Sequence, residues 1–134
     1  MKRYNLILVY DKNKENILMC KRVKEPYKGM YNLVGGKIEE NETDIDSAYR
    51  ELKEETGITS DNIKLKPLIN FEYPIQDREM KVFVGRLDRD VELVEEVNKL
   101  EWVSKDSDFH NLNEYAGEGN IWHMIHHANN YLDI

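Results

Sequence analysis

The sequence predicts one α/β domain over residues 1–134, with helices covering a mixed β-sheet. Three observations carry that expectation. Short apolar, β-branched runs lie on both sides of one amphipathic helical stretch, a second helical stretch closes the chain, and no repeat, linker or low-complexity tail intervenes. A chain of 134 residues is long enough to bury one real hydrophobic core.

Each element has a local reason. "NLILVYDKNKENILMCKR" reads as two strands joined by a polar connection from Asp11 to Asn16, and its density of Leu, Ile and Val marks a buried central strand. From Lys21 to Tyr31 the chain turns basic and turn-like, with Pro26 and Gly29. "NLVGGKIE" is a short extended segment broken by Gly35 and Gly36. Thr43 can cap a helix, with Asp46 three residues on completing a capping box. Ile45, Ala48, Tyr49 and Leu52 then form an apolar stripe at helical spacing, and Gly57 stops the helix. "IKLKPLINFEYPIQDREMKVFVGRL" reads as two strands around a connection from Pro74 to Arg78. Pro67 favours an edge or bulged position in the first of them. "KLEWVS" is a last short strand. Asn120 to Tyr131 reads as the closing helix, with Ile121, Trp122, Ile125 and Ala128 as its packing set.

Charge and cysteine use narrow the function classes. A net charge of −7 argues against a general nucleic-acid binder, so no DNA or RNA duplex is expected as a partner. The single cysteine, Cys20, offers neither an internal disulfide nor a metal cluster, which suits a reducing compartment. The apolar run before Asp11 is too short for a membrane span and lacks a cleavage pattern. A cytoplasmic protein without a membrane partner is the expectation.

The chemistry concentrates in the first helix. Glu51, Glu54 and Glu55 fall at i, i+3 and i+4 and share one face, beside the face that carries Ala48, Tyr49 and Leu52. Residues 42–55 hold six acids and two bases, a net −4. Repulsion within such a set costs about 0.2–0.5 kcal/mol per close pair. Hard divalent cations relieve it, because carboxylates, carbonyls and water are what Mg²⁺ accepts. A Glu-rich run is also what a plain solvated helix face looks like. The Gly pair separates the two readings, since Gly35 and Gly36 let backbone approach a ligand or present a carbonyl to it.

Gly36, five residues, Glu42, seven residues and then "RELKEETGI" from Arg50 to Ile58 resembles the signature of the Nudix hydrolases without a gap. The resemblance implies an α/β/α sandwich, with the signature helix on one face of the mixed sheet and a C-terminal helix. It implies hydrolysis of a nucleoside diphosphate linked to another group, with Mg²⁺ or Mn²⁺ as cofactor. By the same resemblance Glu51, Glu54 and Glu55 hold the metal, the Gly36 carbonyl is a further ligand, Arg50 orients the glutamates, and Glu42 and Gly57 support the motif. Either Glu54 or Glu55 takes the proton from the attacking water, with Glu54 preferred. A fourth carboxylate is expected just before the "LEWV" strand, at Glu95 or Glu96; a solvated loop charge is the alternative there.

Residues 21–37 carry five bases and one acid, and a basic loop beside a metal site can guide a polyphosphate. Lys28 and Lys37 lie closer to the expected pocket, whereas Lys21, Arg22 and Lys24 read equally well as surface turns. "MYNLVGGKIEENET" is similar to the corresponding stretch of the Nudix enzymes that clear oxidised purine nucleoside triphosphates. That likeness implies that Asn32 meets the purine edge, with Gly35 nearby and with Glu118 and Trp122 around the base. Trp122 reads equally well as a core residue of the last helix, and Asn5 can face the pocket. His110, His123, His126 and His127 read as surface or helix-end histidines. The expected reaction is release of pyrophosphate and a nucleoside monophosphate from an oxidised purine dNTP such as 8-oxo-dGTP. Other nucleotides, nucleoside diphosphate conjugates and a non-catalytic binding module are the alternatives. The chain is expected as a monomer or homodimer.

Overall fold

The computed structural model describes residues 2–25, 28–111, 114–116 and 120–130. In chain order the elements are β1 (Lys2–Tyr10), β2 (Asn16–Lys21), β3 (Tyr31–Asn32), β4 (Val34–Lys37), α1 (Asp44–Thr56), β5 (Lys66–Tyr73), β6 (Arg78–Arg86), β7 (Lys99–Ser104) and α2 (Asn120–Asn129). Tyr131, the expected last residue of the closing helix, lies outside the described residues.

The described strands form one mixed sheet of order β3-β2-β1-β6-β5, with β4 also paired to β1 and β7 to β2. β1 and β6 run parallel, from Lys2 opposite Arg78 to Tyr10 opposite Arg86, while the other pairs are antiparallel. A parallel pair cannot be closed by a hairpin, so the chain between β1 and β6 must cross over, and α1 lies in that crossover.

β1 is the centre of the molecule because both of its faces are covered. Ile7 and Val9 pack on the α1 side, Leu8 and Tyr10 on the other, and all four are fully buried. This is why the strand reads as a continuous apolar run rather than an alternation. Side chains alternate along a strand, so Asn5 shares the α1 side with Ile7 and Val9.

α1 starts and stops as its sequence dictates. Thr43 Oγ1 accepts from Asp46 N–H at 3.2 Å, and Gly57 caps the C-terminus at φ 81°, donating to the Lys53 carbonyl. Only this forward half of the capping box forms, since Asp is one methylene shorter than the Glu that normally reaches back. Ala48 and Leu52 are buried against Ile7, Val9 and Phe83, with Ile45 and Tyr49 packed around them. Tyr49 is also fastened through its hydroxyl, which accepts from Leu65 N–H at 2.8 Å. On the opposite face α2 buries Ile121, Met124, Ile125 and Ala128 against Leu8, Tyr10, Val82 and Val84. Pro67 sits in edge strand β5, where the register with β6 shifts between Pro67 and Ile69. An edge or a bulge is where a residue without an N–H fits a ladder. Among the described residues, no helix is long and apolar enough to cross a membrane.

Candidate active site

Burial of Leu52 and Ala48 turns the neighbouring face of α1, with Glu51, Glu54 and Glu55, toward the Gly35–Gly36 pair of β4. This strand meets the helix at very short range. An ideal Cβ on Gly36 would lie 2.5 Å from the Glu51 carboxyl carbon, so the carboxylate occupies the space a side chain would need. One on Gly35 would lie 2.2 Å from the Asn5 carbonyl oxygen, which makes glycine a steric requirement there. Gly35 N–H donates to Glu55 Oε2 at 3.3 Å, joining β4 to the helix.

Arg50 is the hub of this surface. Its Nε and Nη2 grip both oxygens of Glu42 at 2.7 Å each, and Nη2 also donates to the Lys37 carbonyl at 3.1 Å. Nη1 donates to Glu51 Oε1 at 3.0 Å and to Glu54 Oε2 at 3.2 Å. A planar guanidinium presents its donors in a fixed fork, so these bonds set angles as well as distances. The Arg50 bonds, together with Glu39 N–H, hold the Glu42 carboxyl down at about 2. Arg50 is correspondingly pushed further up, chiefly by its bonds to Glu42.

The glutamates nearest the core show the opposite effect. Burial pushes Glu55 up to about 7 against the opposing Gly35 N–H, and the charges of Glu51, Glu96 and Glu54 add to the rise. Burial also raises Glu51, although Arg50 opposes it. The acidic face thus holds negative charge that Arg50 alone does not neutralise.

A cavity of about 260 Å³ opens beside Glu55, lined by Cys20, Glu96, Val97, Asn98 and Leu100. The loop that brings Glu96 there is tied down three times. Val94 N–H donates to the Thr56 carbonyl at 2.9 Å, Leu100 N–H to Glu95 Oε2 at 2.7 Å, and Val23 N–H to Asn98 Oδ1 at 3.2 Å. Glu95, expected as the fourth metal carboxylate, turns one oxygen to the start of β7 and is not among the residues lining the cavity beside Glu55. Glu96 is the member of the pair that lines it. Adjacent loop residues point in different directions, and only the loop's path decides which one faces the helix. Cys20 is a neutral wall, its thiol pushed up to about 11 chiefly by burial.

The other expected residues fall in different places. Asn32 lies opposite Cys20 in the β2–β3 pair, hence on the same sheet face as the cavity. Its Oδ1 accepts from Leu33 N–H at 2.8 Å. Asn5 does not face a pocket: it is 1% exposed, accepting from Gly36 N–H at 2.9 Å and donating to Ser47 Oγ at 3.0 Å. An amide so buried offers no exposed side to a substrate, so the expected contact is replaced by internal ones. Trp122 packs against the α2-side core, stacked on His110 at 4.3 Å and His126 at 4.8 Å, so the sheet separates it from the carboxylates. The four histidines are exposed. Lys28 and Lys37 are exposed too, and Lys37 lines a separate hollow with Lys2, Arg3 and Asn41. Glu118 lies outside the described residues. Ser47 gives no sequence signal, because a serine within a helix is unremarked until its partner is known.

The donor set fits a hard divalent cation. Among the described residues, Glu51, Glu54 and Glu55 each commit one oxygen to a positioning bond and keep the other uncommitted. All are hard oxygen donors, and Glu96 lines the same cavity as Glu55. They are not already drawn together, for among the described residues no three His, Cys, Asp or Glu side chains form a coordination cluster.

A mixed sheet layered between two helices, with an arginine-organised carboxylate helix against the Gly-Gly pair of β4, defines an α/β/α protein. The NUDIX domain family model matches residues 2–120, and the chain belongs to the Nudix family. An ADP-ribose pyrophosphatase of Methanocaldococcus jannaschii is 33% identical over 97 residues, covering 72% of this chain and 55% of that protein. The chain thus spans little more than half the length of that relative. The fold is shared with a Caenorhabditis elegans Ap4A hydrolase, with a TM-score of 0.75 and 15% identity over 96% of both chains. It is shared too with a MutT structure described for Aliivibrio salmonicida and Vibrio cholerae, with a TM-score of 0.71 and 19% identity over 97% of this chain and 98% of that one.

Proposed function

We propose that this chain is a divalent-cation-dependent Nudix hydrolase that splits a phosphoanhydride bond of a nucleotide. The observation that carries the reading is the Arg50 hub, which holds Glu42, Glu51 and Glu54 in one orientation beside Gly36 and the buried Glu55. A non-catalytic binding module has no need of that arrangement. Glu51, Glu54, Glu55 and Glu96 would hold Mg²⁺ or Mn²⁺, with the Gly36 carbonyl as a further donor. When bound, the cation neutralises phosphate oxygens and acidifies water. Glu54, the most solvent-facing carboxylate of the hub with a side chain 54% exposed, is placed to take the proton from the attacking water. Water adds to phosphorus, the anhydride P–O bond breaks, and the leaving phosphate departs with that bond's electron pair.

Two substrates are proposed within this class. ADP-ribose is favoured by the archaeal relative, whose name states that activity. An oxidised purine nucleoside triphosphate is favoured by Asn32, which lies on the cavity face with its Nδ2 available to a base. Displacement of Trp122 to the far face of the sheet weakens the second reading and ranks ADP-ribose first. A panel of ADP-ribose, 8-oxo-dGTP, ordinary dNTPs, nucleotide sugars and dinucleoside polyphosphates, compared by kcat/KM with Mg²⁺, decides between them. ADP-ribose turning over fastest, to AMP and ribose 5-phosphate, is the expected result. No turnover of any member overturns the hydrolase reading.

A further inference from the structure

The buried amide of Asn5 ties together two parts of the site that are distant in sequence. Gly36 lies 31 positions away and Ser47 lies 42 positions away. The side chain sits in β1, 1% exposed, where an unpaired amide is costly. Its donors and acceptors are ordered in one direction only. Gly36 N–H can only donate, so it takes Asn5 Oδ1 at 2.9 Å. That leaves Asn5 Nδ2 to donate to Ser47 Oγ at 3.0 Å, and Ser47 in turn donates to the Asp44 carbonyl at 2.6 Å. Ser47 is fully buried, so water does not compete for these bonds.

The chain of bonds links β4, at Gly36 opposite Asn5, to the first turns of α1. Glu51 lies one turn beyond Ser47, and its carboxylate occupies the Cβ space of Gly36, with Oε1 2.5 Å from the ideal Cβ position. The Gly36 peptide and the Glu51 carboxylate therefore meet across a gap whose width depends on how β4 and the helix are joined. Within this gap Gly35 N–H holds Glu55. Neither Leu52 nor Ala48 can set that relation finely, because apolar packing is non-directional.

We propose that Asn5 is a positioning residue of the active site. It locks the Gly36 peptide of β4 to Ser47 of α1 and so sets the spacing between that strand and the carboxylates. The proposal rests on the hydrolase reading, and it adds a residue from outside the Gly36–Ile58 motif that orders the motif's two ends. Neighbours that orient ligands typically contribute about 10–100-fold in metal affinity or activity.

The test is isothermal titration of the full chain with Mn²⁺, without nucleotide, for wild type, Asn5→Ala, Ser47→Ala and the double variant, with kcat and KM measured separately. Asn5→Ala is expected to weaken Mn²⁺ binding by about 10–100-fold and to lower kcat more than it raises KM. The double variant is expected to be no worse than Asn5→Ala alone, since both changes cut one chain of bonds. A lower Tm with wild-type Mn²⁺ affinity and kcat makes Asn5 a merely structural residue and overturns the proposal. If Asn5→Ala does not fold, Ser47→Ala decides: weaker Mn²⁺ binding supports the lock, and unchanged binding overturns it. Failure of wild type itself to bind Mn²⁺ overturns the functional reading along with this one. Wild-type binding with unchanged variants overturns only the lock.

Discussion

The two faces of the sheet are held by different forces. On the α1 face, directional polar bonds run from Asn5 through Ser47, and from Arg50 through Glu42, Glu51 and Glu54. On the α2 face, Ile121, Met124, Ile125 and Ala128 hold the helix by burial, with aromatic contacts around Trp122 and polar ties to Tyr73 and Tyr10 near its ends. Apolar packing fixes a helix on a sheet but tolerates small shifts. Carboxylates that must converge on one ion do not tolerate them, and hydrogen bonds supply the missing directionality. The α1 face is therefore the one where small changes should reach function without unfolding the protein.

The largest expected effect falls on the hub. Glu54→Gln keeps the side chain's shape but loses its basicity, and should lower kcat by about 10²–10⁴-fold with the circular dichroism spectrum unchanged. Unchanged turnover would remove Glu54 from the chemistry. Next comes Gly36→Ala. The added methyl meets the tip of the Glu51 side chain rather than backbone, so Glu51 yields and the fold survives. Activity should fall by about 10²-fold while stability changes by about 1 kcal/mol or less. A large stability loss with normal activity per folded molecule would contradict the close approach seen here.

Core truncations sharpen the contrast between faces. Leu52→Ala and Ile125→Ala should each cost about 2–5 kcal/mol in urea denaturation. Activity per folded molecule should then fall for Leu52→Ala, which backs the carboxylate face, and stay unchanged for Ile125→Ala. Equal losses would mean that the faces are not functionally separate.

A smaller effect appears in acid. The Glu42 carboxyl, held down at about 2 by Arg50, lies below its usual value of about 4.3. A depressed carboxyl stabilises the fold above its unfolded pKa and loses that contribution as pH falls toward the folded one. The stability advantage of wild type over Glu42→Gln should be full above pH ~4.3 and shrink as pH falls toward ~2. An advantage constant through that window would remove the Arg50 pairing as its cause. The smallest effect belongs to Trp122→Phe, expected to cost less than about 1.5 kcal/mol and to leave the substrate ranking unchanged. Loss of purine selectivity in that variant would restore Trp122 as a base contact.

Much of the fold was legible in the sequence because its signals are local. The Thr43 cap, the Ala48–Leu52 stripe and the Gly57 stop sit within a few turns of one another, and they define α1 whatever it packs against. The apolar run of β1 announced a strand covered on both faces. Pro67 pointed to an edge or a bulge, and both occur. The carboxylate face was legible too, since helical geometry alone aligns Glu51, Glu54 and Glu55. Less legible were residues whose meaning depends on a distant partner. Glu95 and Glu96 are chemically equal neighbours, yet Glu95 turns to Leu100 N–H while Glu96 lines the cavity beside Glu55. Asn5 looked like a polar side chain able to face a ligand, and burial turned it inward. Trp122 sits at helical spacing with the α2 core, a pattern that gives a side of the helix but not a side of the sheet.

Local signals in the chain were enough to mark the long strands, the two helices, the ends of α1 and its acidic face, though not the two-residue strand β3. These follow from interactions within a few residues, where backbone geometry leaves little choice. Which groups come together across the chain was settled by the folded structure: Asn5 with Gly36 and Ser47, Arg50 with Glu42 and the Lys37 carbonyl, and Glu96 with Glu55 in the lining of one cavity. Those meetings depend on strand order and loop path, which are set by how the whole core packs and not by any short stretch of sequence.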